Sequence, residues 1–438
     1  MPPQSDSGTL PEQTEVVVVG GGIIGCATAY YLAKRGVPVA LFEKGRVAGE
    51  QSSRNWGWVR KQGRDPHELP AIVEALRIWE GLQEELQEDI GWHQGGVTYL
   101  AETEEKLSGF EDWLAAAKPY QLDSRLLSPT ETDDLLGQEG RRWKGALHTP
   151  SDGRAEPTKA APAMARAAER LGAQIVTGCA VRTVETAGGR VSGVVTERGP
   201  VACRNVVCAA GVWSGLFAGN LGIDLPQLKV KASVLRTKPA PLVTESGVAC
   251  AEVGFRRRQD GGYTIARGGA HVFDIVPDVL RHFRAFLPAY WDNRKSTRLR
   301  LSSAFMEELR RPNRWGPDDQ TAFEATRVLD PSPEMSILNG ALESARRLFP
   351  QLAEIEIAET WAGMIDVTPD ALPVMCAAES PQGLIIATGF SGHGFGIGPA
   401  AGLFLSELIL DGRARVDLSP FRLSRFSDGS KLRPYPGL

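Results

Sequence analysis

Val16 to Val19 is a run of four valines with no polar residue between them. A strand that is apolar at every position is buried on both faces, as in a parallel sheet covered by helices. The stretch CATAYYLAKR that follows reads as a helix stopping at Gly36, and Pro38 to Phe42 reads as a second strand. Farther along, periodicity predicts a helix over 69–88, a strand over 96–100, a helix over 157–171 and a strand over 174–177. Alternating valines on either side of Gly188-Gly189 predict a hairpin. Asn205 to Cys208 begins a short buried strand that stops at small residues. The 226–310 region alternates short strands with turns such as Asp260-Gly261-Gly262. A helical pattern covers 336–349, and 383–412 repeats the order strand, glycine loop, helix.

Between the first strand and its helix, Gly20, Gly22 and Gly25 fill the positions G-x-G-x-x-G. The first glycine makes the tight turn, the second admits a pyrophosphate, and the third lets helix and strand pack closely. The helix start faces the anionic phosphates. Glu43, at the tip of the second strand, stands where a carboxylate accepts bonds from a ribose. Strand, glycines, helix and acid together mark a dinucleotide site. Units of this type recur at the beginning, middle and end of the chain, so the coenzyme domain is expected to be discontinuous. The expected class is α/β, or α+β with two domains. Residues 15–65, 150–225 and 355–425 form a Rossmann-like domain, 66–149 and 226–354 an inserted antiparallel-sheet substrate domain, and 1–14 a disordered start. A chain of 438 residues has room for this.

The second glycine loop, GFSGHGFGIGP, opens a helix far from the first. Its backbone N–H groups and positive helix end suit the N1–C2=O edge of an isoalloxazine, which becomes negative on reduction. That favours a flavin over a nicotinamide. A net charge of −4 gives no electrostatic case for nucleic acid. Six scattered cysteines without a C-x-x-C pair suggest reduced thiols of a cytoplasmic protein, with neither a disulfide framework nor a metal site. Neither a signal peptide nor a transmembrane helix is expected. The aromatic and basic segment 281–300 reads either as a domain-packing helix or as a peripheral contact with the inner membrane face.

These motifs carry a family resemblance. GGGIIG with Glu43, GEQSSRN, CAAGVWS, WAGMIDVTPDALPV and GFSGHGFGIGP resemble the D-amino-acid-oxidase-type flavoenzymes, which include glycine and sarcosine oxidases. Within that group, EKGRVAGEQSSR, VVTERGP, the turn Asp260-Gly261-Gly262-Tyr263 and LSPFRLSRF are most similar to bacterial L-amino acid deaminases. AGMIDVTPD and RNWGWVR also look like the β subunit of heterotetrameric sarcosine oxidase. The resemblance implies noncovalent FAD. By it, Gly20, Gly22, Ile23, Ile24 and Gly25 hold the pyrophosphate, and Glu43 and Lys44 meet the adenosine. Gln51, Ser52, Ser53, Arg54, Asn55, Trp56 and Gly57 cover the phosphates and ribityl chain, and Val181 presents backbone to adenine. Ala209, Ala210, Gly211 and Trp213 line the dinucleotide. Gly363, Gly389, Gly392, His393, Gly394, Phe395, Gly396 and Ile397 face the flavin.

Many family members carry an arginine where Ile365 stands, and it grips the substrate carboxylate. Planar bidentate pairing is the natural way to fix a carboxylate, so another guanidinium must serve an amino-acid substrate. Arg267, Arg60 and Arg256 are the candidates. Trp58 and Trp361 are candidate pocket walls, and His393 a candidate neighbour of substrate or flavin. The expected reaction is oxidation of an amino acid's amine by hydride transfer to flavin N5, with hydrolysis to a keto acid and ammonia. No acid–base residue is assigned. N-demethylation of a sarcosine- or dimethylglycine-like amine is the alternative, and a non-catalytic flavin subunit the second alternative. Some oxidases of the family carry a lysine at the Gly396 position that assists oxygen. Its absence here favours a quinone- or dye-type acceptor over oxygen. The oligomeric state stays open.

Overall fold

The computed structural model describes residues 10–140, 142–269, 271–294, 297–432 and 434. The four valines form a strand, Val16–Val19, with Val16, Val17 and Val18 wholly buried. The strand lies inside a six-stranded sheet, pairing in parallel with Val39–Phe42 on one side and Asn205–Cys208 on the other. Gln174–Val176 extends the first side in parallel. Leu384–Thr388 extends the second, followed by Val374–Ala377, which is antiparallel and forms the edge. The strands of this sheet therefore come from the beginning, middle and end of the chain.

Helix Ile23–Lys34 packs against helices Pro157–Arg170 and Gly394–Asp411. The third helix approaches the first so closely that a Cβ on Gly402 would stand 2.4 Å from that of Ala27. Glycine is required there for backbone approach. By length and composition Gly394–Asp411 could cross a membrane, but 67% of it is buried in the fold, which marks it as a core helix. Gly188 and Gly189, both with positive φ, turn the hairpin of Val181–Ala187 and Arg190–Thr196 as expected.

A larger, mostly antiparallel sheet runs from Val97–Ala101, Arg125–Leu127 and Gly145–Thr149 to Leu228–Thr237 and the strands that follow it. Leu228–Thr237 pairs along its length with Ile357–Val367, from Leu228 opposite Val367 to Thr237 opposite Ile357. By hydrogen bonding, the stretch after residue 355 thus begins in the large sheet before the chain returns to the parallel one.

Two expectations need correction. Residues 10–14 are not disordered: Thr14 N–H donates to Ala202 O at 2.9 Å and Ala202 N–H to Glu12 O at 3.0 Å. Residues 1–9 lie outside the described residues. The segment after 276 does form a helix, Phe283–Asn293, but it is not packed between domains. Phe283 and Trp291 are 53% and 62% exposed, and Leu280, Leu287, Tyr290, Leu299, Leu301, Met306 and Leu309 are exposed with them.

Arg256, on strand Gly254–Arg257, is 1% exposed. It donates from Nη1 to Glu156 Oε1 at 2.7 Å, from Nη2 to Oε2 at 3.1 Å, and from Nε to Trp56 O at 2.6 Å. This pair locks the large sheet to the start of helix Pro157–Arg170. Burial opposes the charge on Glu156, but Arg256's hydrogen bonds and charge outweigh it and hold the carboxyl near about 2. Removing one partner of such a buried pair leaves the other charge uncompensated. Glu156→Gln is therefore expected to cost about 3–5 kcal/mol in urea unfolding at pH 7. Because the folded value lies below the ordinary 4.5, the pair's contribution is complete above that pH and fades as pH falls toward 2. A parent–variant gap that fails to narrow over that window would contradict this assignment.

Candidate functional site

One cavity of about 710 Å³ starts at the first glycine turn and passes between the two sheets' contributions. Gly20, Gly22, Ile23 and Ile24 line it at that turn. Gly20 has φ +108°, and a Cβ there would sit 2.5 Å from Ala209 O. Beneath it, a Cβ on Gly25 would come within 2.0 Å of Gly20 O, so the third glycine serves helix packing and does not reach the cavity. Helix Ile23–Lys34 has no side-chain cap of its own. Ser52 Oγ accepts the Ile23 N–H at 2.9 Å from the short helix Gln51–Arg54 and so holds a polar oxygen at that helix start. Glu43 accepts Gly21 N–H at 2.8 Å and Gly45 N–H at 2.7 Å through its two oxygens. Burial raises its ordinary value while these bonds oppose the rise.

Gln51, Arg54, Asn55 and Trp56 line the next stretch, opposite Val181, Ala209, Ala210, Gly211 and Trp213. Arg54 is anchored to Asp330 and to Ala362 O. Lys44 is less free than the sequence suggests. Its ammonium donates to Glu50 at 2.7 Å and to the carbonyls of Thr326 and Arg327, and lies 4.6 Å from the Trp213 ring centroid. Glu50, unmarked in the sequence, also accepts from Trp213 Nε1 and Leu329 N–H, closing this wall. Ser53 turns away: its hydroxyl donates to Glu50 O at 3.3 Å, because consecutive residues on a helix point in different directions.

Strand Ile357–Val367 delivers Gly363, Ile365 and Asp366 to the cavity, and the loop after Leu384–Thr388 delivers Gly392, Gly394 and Phe395. Asp366 accepts from Gly389 N–H at 2.6 Å, Thr388 at 3.0 Å and Gln227 at 3.3 Å, tying strand to loop. Gly389 is used in that link and lies outside the wall. Gly396 points at Ile72, Trp58 O and Val59, where a Cβ would find each at 3.5 Å, and Ile397 is buried; neither reaches the cavity. Gly57 likewise packs under Ala155 O and Arg256.

The far end is a chamber with Trp58, Tyr99, Phe273, Arg60, Arg64, Lys106 and Arg267 in its wall. Of the proposed carboxylate anchors, Arg267 is exposed, Arg60 lies 5.4 Å over the Tyr99 ring, and Arg256 is consumed by Glu156 and does not enter the chamber. Trp361 is also outside, its Nε1 donating to Arg54 O at 2.9 Å. His393 turns from the cavity toward Glu68, with Nδ1 at 3.0 Å from Oε2. Burial and the charge of Arg64 lower the His393 value, and Glu68 opposes them.

Arg64 has no signal in the sequence beyond a polar loop after Gly63. It is 4% exposed, its Nε donates to Arg60 O at 3.2 Å, and its Nη1 is buried without a partner among the described residues. Burial, then the charge of Arg60, draws its value down to about 9, which still leaves a cation at neutral pH.

The glycine cradle, the polar oxygen at the helix start and the backbone-lined loop fit a flavin dinucleotide in extended form. Comparisons with known proteins agree. The mouse (Mus musculus) mitochondrial sarcosine dehydrogenase is 28% identical over 97% of this chain. The chain spans about two-fifths of that protein's length (42%). Sarcosine oxidase subunit beta of Arthrobacter sp is 29% identical over 95% of this chain and 91% of its own. Among solved structures, L-amino acid deaminase from Proteus myxofaciens in complex with anthranilate superposes with a TM-score of 0.93 at 31% identity, covering 97% of this chain and 96% of that one. The FAD dependent oxidoreductase (DAO) profile matches residues 15–408. The chain belongs to this FAD-dependent oxidoreductase family, whose members act on amino acids or amines.

Proposed function

We propose that this chain carries out the oxidative deamination of an amino acid with FAD held noncovalently. The observation that carries this reading is the continuity of one cavity from the Gly20–Ser52 helix start, past Gly392–Phe395, into a chamber of aromatic and guanidinium groups. Gly20, Gly22, Ser52 and the start of helix Ile23–Lys34 would hold the pyrophosphate, and Glu43 the ribose. When bound, FAD supplies the two-electron acceptor for the hydride that leaves the substrate's Cα. The chain's own contribution is placement and charge. The N-terminal end of helix Gly394–Asp411 opens on the cavity through Gly394 and Phe395 and favours negative charge set before it. Trp58 and Tyr99 give an apolar flank, and the cations attract a carboxylate. The amine reacts in its neutral form, and the imine hydrolyses in water to a keto acid and ammonia. Asp366 is committed to Gly389, Thr388 and Gln227, so no proton transfer is assigned to it.

N-demethylation of a sarcosine-like amine is the second reading, favoured by the apolar Ile365 in the wall and by the similarity to sarcosine dehydrogenase and sarcosine oxidase subunit beta. Anaerobic mixing with L-, D- and N-methyl amino acids is expected to bleach the yellow protein with some L- or D-amino acid and to release ammonia. Formaldehyde release would transfer the assignment to the second reading. A flavin that no amine bleaches would make the chain a non-catalytic flavin carrier.

Glu43→Ala is expected to weaken FAD retention by about 1–3 kcal/mol through loss of charge-assisted bonds, read by equilibrium titration of the apoprotein. An unchanged affinity would remove Glu43 from the ribose.

The exposed apolar residues from Leu280 to Leu309 stand among Arg281, Arg284, Arg294, Arg298 and Arg310, a composition suited to an anionic membrane surface. We assign a quinone-type acceptor to that surface. Anionic vesicles carrying a quinone should float with the protein and reoxidise its reduced flavin faster than air-saturated buffer does. Equal reoxidation with and without vesicles would overturn this, and rapid, stoichiometric peroxide formation in air would make the protein an oxidase.

A further inference from the structure

We propose that Arg64 is the specificity-determining group that anchors the substrate's carboxylate, with Arg60 as a flanking charge. This rests on the amino-acid reading above. The argument begins with what each cation of the chamber already does. Arg267 is exposed, and an exposed ion pair is screened by water and gains little. Arg256 is saturated by Glu156 and Trp56 O. Arg60 spends Nη1 on Gln62 O and lies over Tyr99.

Arg64 differs from all three. It forms part of the cavity wall while 4% exposed, and its buried Nη1 has no acceptor among the described residues. A buried guanidinium that no carboxylate hydrogen-bonds is costly, and a carboxylate in the chamber, meeting the part of the fork that lines the wall, would supply that partner. Its carbonyl accepts Trp113 Nε1 at 3.0 Å, and its Nε donates to Arg60 O, so the side chain is held at both ends of its stem. Glu68, four residues onward and just before helix Leu69–Leu86, is turned to His393, with its two oxygens 3.2 and 3.0 Å from Nδ1. That same contact ties Arg64's neighbourhood to the 389–395 loop and so sets the guanidinium beside the cavity stretch walled by Gly392, Gly394 and Phe395. An acid group held by Arg64 would place the adjoining Cα next to that stretch. The fork of Arg64 therefore replaces the guanidinium that Ile365 lacks.

The test is calorimetry on the FAD-loaded protein with acetate, propanoate and 4-methylpentanoate, each paired with its neutral amide. The parent should prefer every acid to its amide. Arg64→Met should weaken the acids by about 10–100-fold, as loss of charge-assisted bonds implies, and leave the amides and the flavin content unchanged. Arg64→Lys, which keeps the charge but not the fork, should fall between, and it serves as the second variant should Arg64→Met fail to fold. In steady state the loss should appear in KM more than in kcat. If Arg64→Met and Arg64→Lys bind acids like the parent while Arg267→Met does not, the anchor is Arg267 and this proposal is wrong. If the parent shows no preference for acids over amides, the amino-acid reading itself fails. These two results are distinguishable.

Discussion

The contact on which the site depends is the crossing of two backbones at Gly20 and Gly25. The carbonyl of Gly20 occupies the space that a Cβ on Gly25 would need, at 2.0 Å. Any side chain there would push helix Ile23–Lys34 off the sheet. The helix start would then leave the reach of Ser52 Oγ, and the packing of that helix against Gly394–Asp411, made close by Gly402 over Ala27, would open. One steric constraint thus aligns the starts of two helices on a single cavity, the first with its glycine turn and the second with its glycine loop. Both present positive ends to the same elongated space.

That frame explains where the polar groups fall. Near the first helix the acids are answered by backbone N–H groups, as at Glu43, or by lysine and tryptophan, as at Glu50. At the far end the order is reversed. Arg60 and Arg64 stand close together, and the carboxylates around them, Glu68 and Asp152, spend their hydrogen bonds on His393 and on the N–H groups of Lys61 and Gln62. The protein therefore leaves donors in excess at one end of the cavity.

Much of this frame was legible because it is written in local spacing. A fully apolar valine run, three glycines at fixed intervals and an acid at the next strand end each have a local physical cause, and the structure puts the valines in a buried parallel strand, Gly20, Gly22 and Glu43 in the cavity wall, and Gly25 beneath Gly20. The ends of helices 69–86, 157–170 and 335–348 fall within a few residues of the periodicity, as amphipathic helices do. The substrate end was less legible. Arg256 looked available because its partner, Glu156, lies 100 residues away in sequence, and no local pattern announces a buried pair. His393 looked like a flavin neighbour because it sits in a glycine loop, but Glu68 turns its ring outward from the cavity. Arg64 looked like an ordinary loop cation, and only burial separates it from its neighbours.

Burial lowers the values of Arg256 and Arg64 alike, and what separates the two is the partner each has. Arg256 and Arg64 are both buried cations within hydrogen-bond reach of backbone carbonyls. Arg256 has a carboxylate at 2.7 Å, and its role is to hold the large sheet to the start of helix Pro157–Arg170 whether or not a ligand is present. Arg64 has no such bond. Its desolvation is answered only at a distance by Glu68 and Asp152, and its value falls accordingly. A fold selected for stability alone would have supplied a partner or an apolar residue at that position, since either costs less than a buried unpaired donor. A guanidinium kept in the wall of a cavity without one is therefore better understood as a group whose partner arrives with the ligand.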